Sequence, residues 1–239
     1  MQLTPKRVEA LAGKVIVEVT CGFCITCAVT STGSIYTWGQ GLGTGHGGSS
    51  NIMVPLPRLL RDLSTKNVIC VSLHVSITAC VTRDGEVYTW GDGGHGNLGH
   101  GDQINQYAPK RVEALIGVKA TQVACGFYHT AVCTEDGEIF TFGSGYYGQL
   151  GHGDKEGKTS PALVKALQGR HITQVQCGVS HTMALTSGGY VFTWGGMKIM
   201  VDLAMASRQN VCSLYHVLSR DCVITMSFRL EVPINIVLH

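Results

Sequence analysis

The sequence predicts an all-β fold, and three observations indicate this class. Short segments with alternating apolar residues recur between glycine-containing turns, which is typical of antiparallel strands. Glycine is abundant at 31 residues, whereas charged residues make up only 14% of the chain, and both values suit a compact protein with many tight turns. Several residue types also recur at one fixed spacing, which indicates that the chain is built from structural repeats.

The repeat has a period of 52 residues. Six series keep this spacing, and each contains one residue from each of four units. The series are Trp38, Trp90, Phe142 and Trp194; Pro5, Pro57, Pro109 and Pro161; Val19, Val71, Val123 and Val175; Thr26, Thr78, Thr130 and Thr182; Gly33, Gly85, Gly137 and Gly189; and Gly39, Gly91, Gly143 and Gly195. About four strands in roughly 50 residues are typical of a propeller blade. We therefore predict a partial β-propeller of four-stranded antiparallel blades.

The elements follow one order in every unit. A proline opens the unit, a first strand ends at Cys-Gly as in "ITQVQCG", and a second strand such as "HTMALT" follows. A glycine turn then leads to a third strand such as "YVFTWG" and to a glycine-rich loop. The repeats are predicted over residues 1–196, followed by a divergent tail over 197–239. The predicted units are about 5–56, 57–108, 109–160 and 161–196.

The tail loses the repeat register after Gly195. Its apolar spacing predicts one amphipathic helix over 203–218, and "CVITMSF" predicts a strand. Three explanations are open. The favoured one is that the chain is a piece of a longer protein, whose divergent tail comes from alternative splicing or an imperfect gene model. The others are that the tail caps an exposed blade face, or that two chains complete one ring.

The glycine-rich loops match a dinucleotide-binding pattern but not its context. Gly91, Gly93 and Gly96 form G-x-G-x-x-G after a predicted strand, and a cofactor site would require a helix directly afterwards. The following "NLGHGDQINQYAPK" contains turn-forming residues and a proline instead. The same pattern returns from Gly143, as a structural turn would. We therefore predict no cofactor and no enzymatic activity.

The unit "CGFYHTAVCTEDGEIFTFGSGYYGQLGHGD", residues 125–154, resembles the repeat of the regulator of chromosome condensation family. The resemblance extends from about residue 3 to residue 195 and implies a ring of about seven blades. The first two units depart from the family pattern, since Ile25 stands at the position of His129 and "LHVSIT" lacks both the Cys-Gly pair and the histidine. These changes leave the apolar and glycine positions intact.

The resemblance implies several functions. The founding member is a guanine-nucleotide exchange factor for a Ran-type small GTPase, and other members are adaptor domains in ubiquitin ligases, GTPase regulators or lipid-binding proteins. We predict a non-catalytic protein–protein interaction scaffold whose partner is a protein such as a small GTPase or a ubiquitin-pathway component. Exchange activity is the alternative. A plant UV-B photoreceptor role is excluded, because that role uses tryptophan clusters within G-W-R-H-T, whereas Trp38, Trp90 and Trp194 all end structural strands.

Six loop residues are the candidate partner-binding residues, because propeller loops gather at one rim and residues of such loops often contact partner proteins. They are His100, Asp102, Tyr146, Tyr147, His152 and Asp154. The two tyrosines are the best candidates, since aromatic residues dominate interface energetics. For the histidines and aspartates a structural role in shaping the turn stays open.

Charge and cysteine content exclude other classes of function. A net charge of +2 is too small for direct nucleic-acid binding, and no apolar run reaches the roughly 18 residues of a membrane span. With no secretory signal, we expect a location in the cytoplasm or nucleus, where cysteines stay reduced. The Cys21, Cys24 and Cys27 triplet is interpreted as structural rather than zinc-binding. The Cys125–His129 and Cys177–His181 pairs are interpreted as packing residues rather than a nucleophile and base.

Overall fold

The computed structural model of the chain describes residues 3–48 and 52–196 and the backbone of Asn235–Ile236. The described residues form sixteen strands in four sheets. The first sheet contains β1 (Ile16–Cys21), β2 (Ile25–Thr30), β3 (Ile35–Gln40) and β4 (Met53–Leu59); the second contains β5 (Val68–His74), β6 (Ile77–Thr82), β7 (Val87–Gly91) and β8 (Gln106–Arg111). The third contains β9 (Ala120–Cys125), β10 (His129–Thr134), β11 (Ile139–Gly143) and β12 (Lys158–Leu163); the fourth contains β13 (Ile172–Cys177), β14 (His181–Thr186), β15 (Tyr190–Gly195) and β16 (Asn235–Ile236).

Each of the first three sheets is fully antiparallel, with its strands in chain order. The threonine and aromatic series of the sequence lie directly opposite each other on the second and third strands. Thr78 pairs with Trp90, and the same pairing joins Thr130 to Phe142. Cross-strand neighbours of this kind stabilise a sheet through their side-chain contacts. The 52-residue period therefore repeats one strand pair in every sheet.

The boundary between two sequence units falls inside a strand. Pro57 lies in β4, which pairs with β3 of the preceding unit, and Pro109 and Pro161 lie in the corresponding strands β8 and β12. Each outer strand is an edge strand, where proline is tolerated because one row of N–H groups needs no partner. Each unit thus contributes its opening residues to the sheet before it.

The fourth sheet differs from the predicted antiparallel arrangement. Its three strands β13, β14 and β15 are antiparallel, but β16 pairs in parallel with β15 through Tyr190 and Val191. The helix predicted over 203–218 and the strand predicted at "CVITMSF" lie outside the described residues.

The sheets pack face to face through their first strands. Residues of neighbouring sheets form three buried apolar clusters. The valine series shows the effect: Val71, Val123 and Val175 are only 5%, 2% and 0% exposed, whereas Val19 is 68% exposed. Val19 differs because no sheet packs against the first sheet on that side among the described residues.

Five short 3-10 helices complete the described part of the chain. Three of them connect a fourth strand to the next sheet, and each buries its leucine, namely Leu63, Leu115 or Leu167. The five helices are Glu9–Leu11, Leu42–Thr44, Arg61–Leu63, Glu113–Leu115 and Lys165–Leu167. The buried leucines attach these connections to the cores between the sheets.

Candidate protein-binding face

Antiparallel order places two kinds of connection at the same end of each of the first three sheets. These are the tight turns between first and second strands and the glycine-rich loops between third and fourth strands. We call this end the loop face. In the described chain it comprises His74 at the end of β5 and residues 22–24, 41–48, 52, 75–76, 92–105, 126–128, 144–157, 178–180 and 196.

Each glycine-rich loop is bound to the sheet that follows it. A threonine hydroxyl of that sheet donates to a carbonyl of the loop: Thr130 Oγ1 to Asn97 O at 2.7 Å, and Thr182 Oγ1 to Gln149 O at 2.8 Å. Thr78 Oγ1 bonds Gly43 O in the same way at 2.8 Å. The loops are therefore fixed by buried hydrogen bonds, and a side chain that projects from them is held in place.

Glycines of these loops pack against the aromatic series. A Cβ on Gly99 would lie 2.8 Å from the Phe142 ring, and one on Gly151 would lie 2.7 Å from the Trp194 ring. Both glycines have a φ of 78°, which other residues rarely adopt. These two glycines of the glycine-rich loops thus allow close packing between neighbouring sheets.

The two candidate histidines are oriented inward. His100 Nε2 lies 3.0 Å from Thr89 Oγ1, and His152 Nε2 lies 3.0 Å from Thr141 Oγ1. Because each threonine hydroxyl donates to a loop carbonyl, the imidazole donates to the threonine. Partial burial lowers the pKa of His100 to about 4. The hydrogen bonds of the two imidazoles to threonine attach the loops to the third strands. Partner binding by His100 and His152 stays a prediction.

The two candidate aspartates cap turns. Asp102 Oδ1 accepts a hydrogen bond from Ile104 N, and Asp154 Oδ1 accepts one from Glu156 N, both at 3.0 Å. These are Asx turns, in which a short carboxylate satisfies the backbone two residues later. The geometry favours the structural role left open by the sequence, and the second oxygen of Asp154 lies 3.7 Å from Lys158 Nζ.

The two candidate tyrosines project from the loop face. Tyr146 is 69% exposed and Tyr147 is 52% exposed, and their rings meet edge to face with centroids 4.9 Å apart. Tyr147 N donates to Gln149 Oε1 at 2.8 Å, while Gln149 itself is buried. A rigid loop thus presents two exposed aromatic rings, which suits an interface because little side-chain entropy is lost on binding.

A second group of rings on the loop face was missed by the sequence reasoning. His74, Phe127, Tyr128 and His95 form a continuous row, which we call the aromatic ridge. Ring centroids are 5.6 Å apart for His74 and Phe127, 4.3 Å for Phe127 and Tyr128, and 4.2 Å for Tyr128 and His95. The sequence signal for this ridge was variation between units in the turn after the first strand. This turn reads "HVS" at 74–76 and "GFY" at 126–128, although the flanking strands repeat.

The ridge and the tyrosine pair belong to one surface. Ser144 N donates to Tyr128 O at 2.8 Å, and Tyr146 N donates to Ser144 Oγ at 3.4 Å. His95 and Tyr147 occupy the same repeat position, 52 residues apart. The aromatic groups therefore extend from the second sheet across the third toward the fourth.

The Cys125–His129 pair is not arranged as a nucleophile and base. His129 Nε2 lies 2.8 Å from Thr182 Oγ1 in the fourth sheet, whereas Cys125 Sγ contacts Ser72 O in the second sheet at 3.5 Å. The two side chains face opposite neighbours. Burial raises the pKa of the Cys125 thiol to about 12, which does not favour a nucleophile.

The described part of the chain contains neither a disulfide nor a cluster of metal-ligating side chains. Its eight cysteines are all free, with Cys27 buried and Cys21 and Cys24 exposed. Within 3–48 and 52–196, no three side chains of histidine, cysteine, aspartate or glutamate are placed to hold a metal ion. No helix among the described residues has the length and apolar character needed to cross a membrane.

Comparison with known proteins identifies the family. The sequence model of the family described as RCC1-like domain matches residues 1–213. The chain belongs to the RCC1-like domain family. This confirms the resemblance to the regulator of chromosome condensation repeat and the partial β-propeller predicted from the sequence.

Two curated relatives of this RCC1-like chain illustrate the range of the family. Human E3 ubiquitin-protein ligase HERC2 is 38% identical over 195 residues, which is 80% of this chain and 4% of HERC2. Ultraviolet-B receptor UVR8 of Arabidopsis thaliana is 38% identical over 199 residues, covering 82% of this chain and 44% of UVR8. The RCC1-like chain spans less than half the length of either relative.

Solved structures show the same fold. Human WBSCR16 superposes with a TM-score of 0.68 at 30% identity, covering 77% of this chain and 48% of WBSCR16. Prp20p of Saccharomyces cerevisiae, whose structure was described with its binding to Gsp1p and histones, gives a TM-score of 0.67 at 20% identity, covering 77% of this chain and 44% of Prp20p. At that identity the likeness to Prp20p shows the fold of the RCC1-like chain alone.

Proposed function

We propose that this chain is a non-catalytic protein-recognition scaffold that binds its partner through the loop face. The observation that carries the proposal is the pair Tyr146 and Tyr147, exposed at 69% and 52% on a loop anchored by buried hydrogen bonds from Thr141 and Thr182 to its carbonyls. Rigid loops with exposed aromatic rings lose little entropy on binding and bury a large apolar area. Function resides in such sites rather than in the propeller fold itself.

The family supports a protein as the partner. HERC2 is named as a ubiquitin ligase, and Prp20p was described as binding Gsp1p and histones. We propose for this chain a regulatory or adaptor role with a protein partner, such as a small GTPase or a ubiquitin-pathway component, in the cytoplasm or nucleus. Guanine-nucleotide exchange is the alternative to simple binding, and a nucleotide-release assay separates the two.

Site-specific photo-crosslinking tests the proposal in cells. The photoreactive residue p-benzoylphenylalanine replaces Tyr146 in one protein and Tyr190 in a matched control. Tyr190 is also an exposed tyrosine, but it begins β15 at the opposite end of the sheet. We expect a defined partner band from position 146 and not from 190, weakened by Tyr147→Ala in the same chain.

The identity of the crosslinked protein then separates binding from exchange. If it is a small GTPase, release of a labelled guanine nucleotide is measured with and without the chain. Unchanged release supports a scaffold, whereas accelerated release supports the exchange alternative. Equal capture at positions 146 and 190 would contradict the use of the loop face altogether.

A further inference from the structure

The loop face has an uneven charge distribution. Its described residues contain four carboxylates and one lysine, which are Asp92, Asp102, Asp154, Glu156 and Lys155. None of the arginines of the described chain lies in it. Outside the loop face, Lys158 is 3.7 Å from Asp154 and 3.2 Å from Glu156, and Lys110 lies near His100. The carboxylates of the loop 92–105, by contrast, have no ion pair among the described contacts, so a partner can supply the positive charge.

Asp92 lies beside the aromatic ridge. Its backbone N donates to Ser76 O at 3.1 Å, in the turn that follows His74, and its Oδ1 accepts from Gly94 N at 2.9 Å. His95, three residues after Asp92, contacts the Tyr128 ring. A fixed carboxylate thus flanks a row of aromatic rings, and both features attract cations.

The imidazole of His74 does not oppose this attraction. Burial lowers the pKa of His74 below its usual value, so the ring is neutral at pH 7. The half-buried rings of Phe127 and Tyr128 add faces that interact favourably with a guanidinium or ammonium group. An acidic partner segment would instead meet the carboxylate of Asp92 without a nearby arginine to bind it.

We propose that the aromatic ridge and Asp92 bind a lysine- or arginine-bearing segment of the partner protein. The proposal rests on the proposed function, since it specifies the partner chemistry of the same face. The cationic side chains lie over the rings of Phe127 and Tyr128, and Asp92 accepts a charge-assisted hydrogen bond. Charge complementarity of this kind increases association rates and selects against acidic competitors.

Fluorescence anisotropy with defined peptides tests the partner chemistry. Three fluorescein-labelled peptides are used, with four copies of Arg-Gly-Ser, Glu-Gly-Ser or Pro-Gly-Ser, against the full chain. We expect the arginine peptide to bind more tightly than the other two, with an affinity that decreases as ionic strength rises. Tighter binding of the glutamate or proline peptide, or no binding of any peptide, would overturn the proposal.

Matched variants locate the contact. Phe127→Leu keeps an apolar side chain but removes the ring, and we expect about three- to fivefold weaker binding of the arginine peptide. Asp92→Asn keeps the oxygen that caps Gly94 and removes the charge, with an expected loss of about two- to fivefold. Asp84→Asn, an exposed change in the turn at the opposite end of the sheet, is the control and should leave binding unchanged. Equal affinities for all four proteins would place the contact elsewhere and refute the proposal.

Failure of this inference is distinguishable from failure of the proposed function. A partner that crosslinks at position 146 but is not displaced by the arginine peptide would retain the scaffold and refute the cationic segment. Circular dichroism of each variant confirms that a loss of binding does not reflect unfolding.

Discussion

His129 links the third and fourth sheets through a single buried hydrogen bond. The Thr182 hydroxyl donates to Gln149 O, so His129 Nε2 must donate to Thr182 Oγ1 and Nδ1 carries no proton. Nδ1 has no hydrogen-bond partner among the described residues. Burial, together with the neighbouring His181 and His74, lowers the pKa of His129 to about 3. The folded protein therefore requires a neutral imidazole at this position.

We expect a pH-dependent stability from this residue. The folded-state pKa of about 3 lies below the usual 6.5, so the stabilisation is complete above pH 6.5 and is lost as the pH falls toward 3. Between pH 6.5 and 5 the loss from His129 is about 2 kcal/mol. Urea unfolding at pH 7 and pH 5 gives the total pH dependence, to which other histidines with lowered pKa values contribute. His129→Ile, which copies Ile77 and Ile25 of the first two sheets, should reduce the pH dependence by about 2 kcal/mol, and an unchanged dependence would contradict the assignment.

Thr182 shows how two sheets of similar sequence differ in stability. It donates to Gln149 O and accepts from His129 Nε2, whereas Thr78 has only the bond to Gly43 O among its described contacts. Trp90 and Trp194 also donate to the two loop carbonyls, so valine leaves both carbonyls satisfied. We expect Thr182→Val to cost about 2–4 kcal/mol and Thr78→Val about 1 kcal/mol in unfolding free energy. Equal costs in chemical denaturation would indicate that His129 finds another partner.

At the scale of elements, the glycine-rich loop is a packing device as well as a connection. The loop 92–105 is pinned to the third sheet by the Thr130 hydrogen bond and by the contact of Gly99 with the Phe142 ring. The outward rings and carboxylates stay accessible to a partner, together with the exposed side chain of Ile104. The recognition surface is thus held by the same contacts that join the blades, and loosening those contacts should impair both stability and binding.

Alanine substitutions at two glycines of this loop distinguish the stability cost of close packing from the cost of backbone strain. Gly99 and Gly101 have φ values of 78° and 84°, but a Cβ on Gly101 would lie 3.5 Å from Ser160 Oγ, an ordinary contact. We expect Gly101→Ala to cost about 1 kcal/mol and Gly99→Ala about 2–4 kcal/mol. Thermal unfolding of both variants measures the difference, and similar midpoints would show that the Phe142 ring yields to the added methyl group.

The strands were predictable because their determinants are local and repeated. "HTMALT" and "YVFTWG" became β14 and β15, since alternating side chains and glycine turns specify a strand within a few residues. The aromatic ridge was not predictable in this way. His74 and Phe127 meet only because β5 and β9 pack side by side, a contact between residues in different units. The parallel pairing of β16 likewise depends on residues far from the repeat.

The same limit explains the outcome for the candidate site. Histidine and aspartate in "LGHGD" suggested surface chemistry, but the inward orientation of His100 depends on Thr89, a residue on the neighbouring strand. Tyr146 and Tyr147 were identified from residue type alone, because no apolar period in the loop accounts for them. Exposure on a rigid loop could be inferred, whereas its alignment with the Tyr128 turn could not.

At the scale of the whole molecule, the four sheets form an arc whose first face is apolar. Val19 is 68% exposed while its repeat counterparts are buried. The tryptophan series shows the same difference, since Trp38 is only half-buried whereas Trp90 is fully buried under the first glycine-rich loop. The interface that joins consecutive sheets is therefore repeated once more on the first sheet, without a neighbour in the described structure.

A matched pair of lysine substitutions tests whether this face is free in solution. Val71→Lys buries a charge between sheets and should cost more than about 3 kcal/mol. Val19→Lys should cost less than about 0.5 kcal/mol and reduce self-association, measured by light scattering after gel filtration, because it interrupts an exposed apolar face. If Val19→Lys destabilises the protein as severely as Val71→Lys, the face is covered in the soluble protein.

The position of the unit boundary inside β4, β8 and β12 has a consequence for how such a chain grows. Every unit brings the second half of the edge strand of the sheet before it. For its own sheet it brings three strands and the first half of the edge strand. An inserted unit would therefore complete its predecessor and be completed by its successor, so a duplication leaves no sheet unfinished in the interior of the array. After the deletion of one unit, the two units that become neighbours complete each other's sheets in the same way. Only an insertion or deletion that is not a whole number of 52-residue units separates part of a strand from the sheet that it completes.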